Sequence, residues 1–467
     1  MTPSTQKRAG DPEIKQLARA SLLLLLLINL FNYIDRYLLA AVMPDIEKTF
    51  FSNGAVNAGP GIAQLIEWFR HTFGFTPNLA LGGLLSTAFI LTYMILAPVF
   101  GHLAHKYSRW ALVGVGIGVW SFATGASGLA GTFLALLITR CFVGVGEAAY
   151  GPVAPAMISD LYPIEERGRV LSWFYTALPV GSALGYVLGE QIAKSGIGAW
   201  GAGFLSHLGV TSADSWRWAF FVVLPPGIVL AVWSFFMRDP ARSSNASKKE
   251  IPLRQYAIFF KTPSFVLCNV GMTFMTFAMG GIAVWMPFYL EHKPGSHGYP
   301  TTIFGGVLLV TGLLGTLIGG WLGDRLRKRW SGSYFLVSGV TMLIAVPMVW
   351  HLTYITFPWI WGYIFFACLC LFVNTAPANT ILANVTHPSM RAAGYALNIL
   401  VIHALGDVLS PLVMGLIADK WSMDIAFRTV AVVMLLSGVT WIFGAKYLAR
   451  DTERAEHLLD EGATAHG

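Results

Sequence analysis

The 467-residue sequence predicts an all-α, polytopic membrane protein with twelve transmembrane helices in two pseudo-symmetric six-helix bundles. Three observations lead there. First, 55% of the residues are hydrophobic and only 12% charged. Second, the charges gather in short clusters between long uncharged runs. Third, the signals around those clusters recur in the two halves. A soluble domain carries about 25% charged residues, so an ordinary cytosolic enzyme, a disordered chain and a coiled coil are all excluded. Cys141, Cys268, Cys368 and Cys370 lie in apolar runs, outside any metal-ligand or disulfide pattern.

A run of roughly 20 apolar residues crosses a bilayer. Such runs lie near 20–44, 79–103, 110–130, 132–159, 170–193, 217–237, 264–290, 302–323, 332–351, 355–386, 392–418 and 425–449, numbered here as spans 1 to 12. Only helices and closed barrels satisfy every backbone group in lipid, and these runs are too long and continuous for barrel strands. The first follows a 19-residue tail of mixed charge and lacks a small-residue cleavage site, so it is not a signal peptide. The expected organisation is an N-tail at 1–19, one bundle at 20–237, a linker at 238–263, a second bundle at 264–449 and a C-tail at 450–467.

Orientation follows from lysine and arginine, which favour cytoplasmic loops. With the N-terminus inside, inner loops and tails hold 22 of the 31 basic residues, outer loops seven, and spans the remaining two. Both termini are therefore expected in the cytoplasm. The alternation also accounts for the net charge of +7 without nucleic acid.

The polar stretch Arg238–Ile251 divides six spans from six. Gly101-His-Leu-Ala-His-Lys-Tyr-Ser-Arg109 follows span 2, and Gly320-Trp-Leu-Gly-Asp-Arg-Leu-Arg-Lys328 follows span 8, 219 residues later. Pro163 to Arg167 precedes span 5 as Pro388 to Arg391 precedes span 11. Repeated halves mark transporters, whose sites lie near the midplane between repeats; a duplicated receptor or scaffold is the alternative.

Four charges interrupt the spans: Asp35 and Arg36 in span 1, Arg140 and Glu147 in span 4. Each costs about 2.5–3.5 kcal/mol at the bilayer centre on insertion scales. They are therefore expected to face one another or a wet cavity, and they sum to zero. Arg140 and Glu147, seven apart, share a helix face with Gly144 between them, and Asn32 shares a face with Arg36 four residues on. One reading is a buried ion-pair network that fixes packing, although such pairs stabilise poorly. The other is functional. Arg36 or Arg140 would hold an anionic group, and Asp35 or Glu147 would carry a coupling proton. Burial disfavours the charged carboxylate while a neighbouring guanidinium favours it. Span 11 sets His403 and Asp407 one turn apart; span 7 offers Asn269, Thr273 and Thr276, and span 10 Asn374, Thr375, Asn379 and Thr380. These line a cavity or serve as interhelical glue.

The paired loop motif resembles that of the major facilitator superfamily over nearly the whole chain. Asn32-Tyr-Ile-Asp-Arg36 with Val42-Met-Pro-Asp-Ile46, Gly146-Glu-Ala-Ala-Tyr150 with Ala154-Pro155, Phe174-Tyr175 before Pro179-Val-Gly-Ser182, and His403, Gly406-Asp407 and Ser410-Pro411 together resemble the spinster family. That family includes exporters of sphingosine-1-phosphate, lysosomal transporters of lysophospholipids and bacterial relatives. The resemblance implies two bundles rocking around a central cavity. Asp35, Arg36, Arg140 and Glu147 would form the N-half site and proton switch, with His403 as C-half counterpart. Gly101, His105, Arg109, Gly320, Asp324 and Arg325 would form the cytoplasmic latch. The first copy departs from the pattern, since His105 stands where the superfamily usually has Asp. The latch of that half is expected to be weak or pH-sensitive.

Gly181, Gly185 and Gly189 follow Pro179 at four-residue spacing and predict close packing or a moving contact between halves. In the long outer loop 45–78, Ile62, Leu65, Ile66, Phe69 and Phe73 form a helical stripe with Glu67 and Arg70 off it, which predicts an amphipathic interfacial helix. Loop 194–216 is glycine-rich. Either loop would cover the outer mouth, guide an amphiphile, or pack inertly. The chain lacks a Walker A sequence and any visible catalytic or metal constellation, so it is read as no enzyme and without a cofactor beyond a proton gradient. The expectation is a proton-coupled secondary transporter of an amphiphilic lipid, monomeric, in a bacterial inner membrane. A symporter of small organic anions and a multidrug/proton antiporter are the alternatives.

Overall fold

The computed structural model describes residues 12–51, 58–162, 164–194, 214–239, 256–387 and 390–457. Twelve helices among them are long and apolar enough to cross a membrane: Gln16–Ala41, Asn78–Ala104, Arg109–Gly128, Phe133–Leu161, Arg169–Lys194, Arg217–Phe235, Pro263–His292, Pro300–Arg327, Ser333–Leu352, Ile360–Asn384, Ala393–Lys420 and Met423–Gly444. These are spans 1 to 12 of the sequence, shifted by a few residues at most ends. Most of the sequence linker (240–255) and most of loop 194–216 (195–213) lie outside the described residues.

The chain forms two compact units. Unit 1 holds Met1–Phe73, Leu84–Ser247 and Thr301–Gly305; unit 2 holds Gly74–Gly83, Lys248–Pro300 and Gly306–Gly467. In unit 1, span 1 packs along span 5 and span 3 along spans 4 and 6. The glycine ladder explains the first pairing. A Cβ on Gly185 would meet the Ile34 carbonyl at 2.6 Å and Tyr37 Cβ at 3.0 Å, and one on Gly181 would meet Tyr33 Cβ at 2.5 Å. The ladder is thus a seam on which span 1 lies, the close-packing role its spacing allows. In unit 2, span 12 packs against spans 7 and 9.

Carboxylates cap helix starts in both units, where unpaired N–H groups and the helix dipole favour negative charge. In unit 1, Asp239 accepts from Arg109 N and Trp110 N at 3.0 and 3.1 Å, and Glu190 accepts from Thr301 N and Thr302 N at 3.2 and 2.7 Å. In unit 2, Asp419 accepts from Leu79 N and Ala80 N at 2.9 and 2.8 Å, and Asp451 accepts from Ser264 N at 2.8 Å.

Three spans are not continuous α-helices. Span 4 breaks between Ala148 and Val153, span 10 breaks at Asn374, and span 11 contains a π-helical turn at His403–Asp407. Interrupted helices at membrane depth mark binding regions in transporters, and π-turns often sit at functional sites.

Candidate transport site

Unit 1 brings the four intramembrane charges together. Span 1 supplies Asp35 and Arg36 on adjacent positions, about 100° apart on the helix, so the two side chains reach different neighbours. Arg36 donates through Nη2 to Glu147 Oε2 at 2.6 Å, the Arg36 side chain being 29% exposed and Glu147 1%. Asp35 is fully buried and accepts from Thr124 Oγ1 on span 3 at 2.7 Å. Arg140, 1% exposed, interacts electrostatically with both Asp35 and Glu147. Gly144 makes this possible, because a Cβ there would collide with the Phe89 carbonyl of span 2. Its absence lets spans 2 and 4 close together.

The guanidinium of Arg36 also lies over three rings: Tyr33 at 5.3 Å, Phe89 at 5.0 Å and Tyr93 at 5.9 Å from the centroids. Each such contact stabilises by about 0.5–2 kcal/mol, more where desolvated. Arg36 is thereby fixed against Glu147 while its side chain stays partly open. Several polar atoms of the cluster have no protein partner: Asp35 Oδ1, Glu147 Oε1, Arg36 Nε, and Arg140 Nε and Nη1. Buried polar groups are expensive unless bonded, so these atoms have capacity for a proton, water or a substrate group. Asn32 is buried nearby on span 1.

Unit 2 carries a second polar group of residues. His403 Nδ1 lies 2.8 Å from Asp407 Oδ2 across the π-turn, and both side chains are partly open at 35% and 21%. The other residues singled out in this half mostly meet protein. Asn269 donates to the Phe265 carbonyl and accepts from Asn398 Nδ2, both at 2.8 Å. Thr273 donates to the Asn269 carbonyl at 2.8 Å. Asn374 is fully buried, bonds the Cys370 carbonyl at 2.8 Å and accepts from Thr341 at 3.2 Å, holding the break in span 10. Asn379 is exposed and donates back to the Thr375 carbonyl. Asn269 and Asn374 thus act as glue in this structure, whereas His403, Asp407 and Asn379 present accessible polar groups.

Five likenesses accompany this geometry. A model of the Major Facilitator Superfamily matches residues 25–406. Protein spinster homolog 1 of Xenopus laevis is 32% identical over 477 residues, covering 94% of this chain and 82% of the relative. This chain belongs to the spinster family of the major facilitator superfamily. The human protein spinster homolog 1 is likewise 32% identical, covering 92% and 81%. Among solved structures, a bacterial homolog to the human lysosomal transporter Spinster superposes with a TM-score of 0.74 at 20% identity, covering 94% of this chain and 97% of that one. The inward-open xylose transporter XylE from E. coli gives 0.66 at 15% identity, covering 92% and 96%. The chain is therefore a spinster-family membrane transporter and no enzyme, with twelve spans as the sequence predicted.

The two copies of the superfamily loop motif adopt different local arrangements. Arg109 is buried and pairs with Asp160 Oδ2 at 2.5 Å at the end of span 4, while its backbone N–H is held by Asp239. The His105 side chain lies outside the described residues. Gly101 sits close to Pro152, at 3.9 Å from an added Cβ. In the second copy, Asp324 accepts from Tyr334 OH at 2.7 Å, Arg325 lies over Trp321 at 5.7 Å, and Gly320 is near Ala376. Sequence reasoning missed Asp160, Asp239, Thr124, Asn398 and the three rings around Arg36. Asp160 had a usable signal, being an acid at the end of a span in the same half as the loop-motif arginine Arg109. The rings had none, because aromatic residues fill every span.

Proposed function

We propose that this spinster-family chain is a proton-coupled secondary transporter of an amphiphilic lipid, of lysophospholipid or sphingoid-phosphate type, working by alternating access. The single observation that carries the reading is the Arg36–Glu147 pair: a partly open guanidinium clamped to a carboxylate buried to 1%. An anionic headgroup competes with Glu147 for Arg36, since guanidinium bonds phosphate and carboxylate alike. When the headgroup takes Arg36, Glu147 stays buried and loses its bonded partner, keeping only the charge of Arg140 nearby, which favours proton uptake. When the headgroup leaves, Arg36 returns and the proton is released. Asp35, compensated by Arg140 and Thr124, is the second candidate carrier. His403 with Asp407 is the C-half contact.

The proposal places both termini in the cytoplasm of a bacterial inner membrane and treats the chain as a monomer with no cofactor but the proton gradient. The likeness to the bacterial homolog of the human lysosomal transporter Spinster supports the two-bundle fold this reading needs. A small organic anion is the second reading, favoured by the same Arg36, whose chemistry does not distinguish a headgroup from a free acid. Uptake by purified protein in liposomes, comparing lysophospholipids, sphingoid phosphates and small acids with and without a pH gradient, separates them. Gradient-driven uptake of small acids alone would replace the lipid reading.

A further inference from the structure

The helix Pro60–Phe73 lies between span 1 and span 2, and its surface divides into three sectors. Ile62 and Ile66 are buried at 8% and 4%. Leu65, Trp68 and Phe73 are 41%, 55% and 53% exposed. Gln64, Glu67, Arg70 and His71 are exposed and polar, with Arg70 paired to Glu67 at 2.6 Å. At 3.6 residues per turn, Leu65 and Trp68 are centred about 110° from Ile62 and Ile66, and the polar sector lies roughly 120–130° from either, while Phe73 shares the angle of Ile62 and Ile66 but is exposed at the helix end. The single stripe read from the sequence therefore mixes apolar residues that protein covers with apolar residues that it does not. Exposed Trp68 and Phe73 meet around half-buried Phe69, the three ring centroids 4.6–5.9 Å apart.

The helix is pinned at its start. The Ala58 carbonyl accepts from Leu134 N at 3.3 Å, at the beginning of span 4. Gly59, with φ of +89°, lies where a Cβ would touch Leu134 Cβ at 3.3 Å. At its other end Gly74, with φ of +78°, ends the helix, and span 2 begins at Asn78. The intervening four residues reach at most about 14 Å. Both ends of the helix are thus held near the span ends on the side of the membrane opposite the termini.

We propose that this helix lies in the headgroup–acyl boundary of that leaflet, with Leu65, Trp68, Phe69 and Phe73 in the lipid. The three sectors then have three surroundings: protein for Ile62 and Ile66, acyl chains for the aromatic face, and water and headgroups for Glu67, Arg70 and His71. Interfacial helices divide their surface in this way, with aromatic residues on the lipid side. The helix anchors the ends of spans 2 and 4 in that leaflet.

The test uses the full chain in nanodiscs of mixed phosphatidylcholine and phosphatidylglycerol. Cys141 and Cys370 are replaced by Ser, while the buried Cys268 and Cys368 remain. Spin labels are placed singly at Trp68→Cys, Phe73→Cys, Leu65→Cys, Glu67→Cys and His71→Cys, so the reading survives if one variant does not fold. Labels at 65, 68 and 73 are expected to collide several-fold more with oxygen, relative to a water-soluble nickel reagent, than labels at 67 and 71. Equal exposure of all five to the nickel reagent would overturn the proposal, with the helix standing in water. Shielding of 65, 68 and 73 from both reagents would also overturn it, with a second copy or another protein surface covering the face. The readout involves no transport, so it stands apart from the lipid-carrier reading.

Discussion

Replacing Glu147 by Gln removes one charge from the Arg36 pair and leaves the other in place. At 2.6 Å and an effective dielectric near 20, the gross attraction is about 6 kcal/mol. Desolvation consumes much of that, and breaking a buried pair costs about 3–5 kcal/mol. Two features of the structure lower the figure here: the Arg36 side chain is 29% exposed, and three rings continue to hold its guanidinium. Glu147→Gln is therefore expected to destabilise by about 2–3 kcal/mol, roughly 30- to 150-fold in the unfolding equilibrium at 1.4 kcal/mol per decade. Arg36→Gln should cost more, because it also removes the ring contacts and leaves buried Glu147 without its hydrogen-bonded partner, with only Arg140 nearby. The double variant should recover about 1.5 kcal/mol or more of the summed loss. The assay is denaturant titration of all four proteins in mixed micelles, followed by tryptophan fluorescence. Additivity of the single losses to within about 0.5 kcal/mol would refute direct coupling.

Other outcomes follow from the same geometry. Thr124→Val removes the hydrogen bond to buried Asp35 and should destabilise by about 1.5–3 kcal/mol in the same titration; an unchanged midpoint would mean that Asp35 needs no support from span 3. Gly185→Leu drives a side chain into the Ile34 carbonyl and should sharply lower the yield of monodisperse protein, overpacking costing about 1–3 kcal/mol or more. Normal yield and normal transport would remove the seam from the account. Asp407→Asn acts on a partly open pair worth about 0–1 kcal/mol, so folding should be retained while liposome uptake falls several-fold; equal uptake rates would take His403 out of the site.

The fold was legible because lipid imposes one demand on every span, an apolar run of helical length, and the structure returns twelve such helices. The N-half cluster was legible for a related reason. Charge is so costly inside a bilayer that Asp35, Arg36, Arg140 and Glu147 stood out singly, and helical spacing indicated common faces. Reading fails where polarity is cheap or packing decides. Asn269 and Asn374 satisfy neighbours of their own unit, and their sequence spacing suits a cavity wall just as well. The rings around Arg36 and the π-turn at His403–Asp407 depend on how particular helices approach one another, which spacing along one chain does not encode. In the helix Pro60–Phe73, a single apolar stripe concealed both buried and exposed residues, because hydrophobicity alone does not tell which apolar side chains the protein covers.

The central claim is that Glu147 carries charge compensation from Arg36 to a proton as the headgroup binds. Its most direct test is simultaneous measurement of lysophospholipid uptake and internal pH in liposomes containing wild type or Glu147→Gln under an imposed pH gradient. The account predicts gradient-driven uptake with accompanying proton movement in wild type, and gradient-independent exchange without proton movement in the variant. Unchanged proton-coupled uptake by a correctly folded Glu147→Gln protein would contradict it.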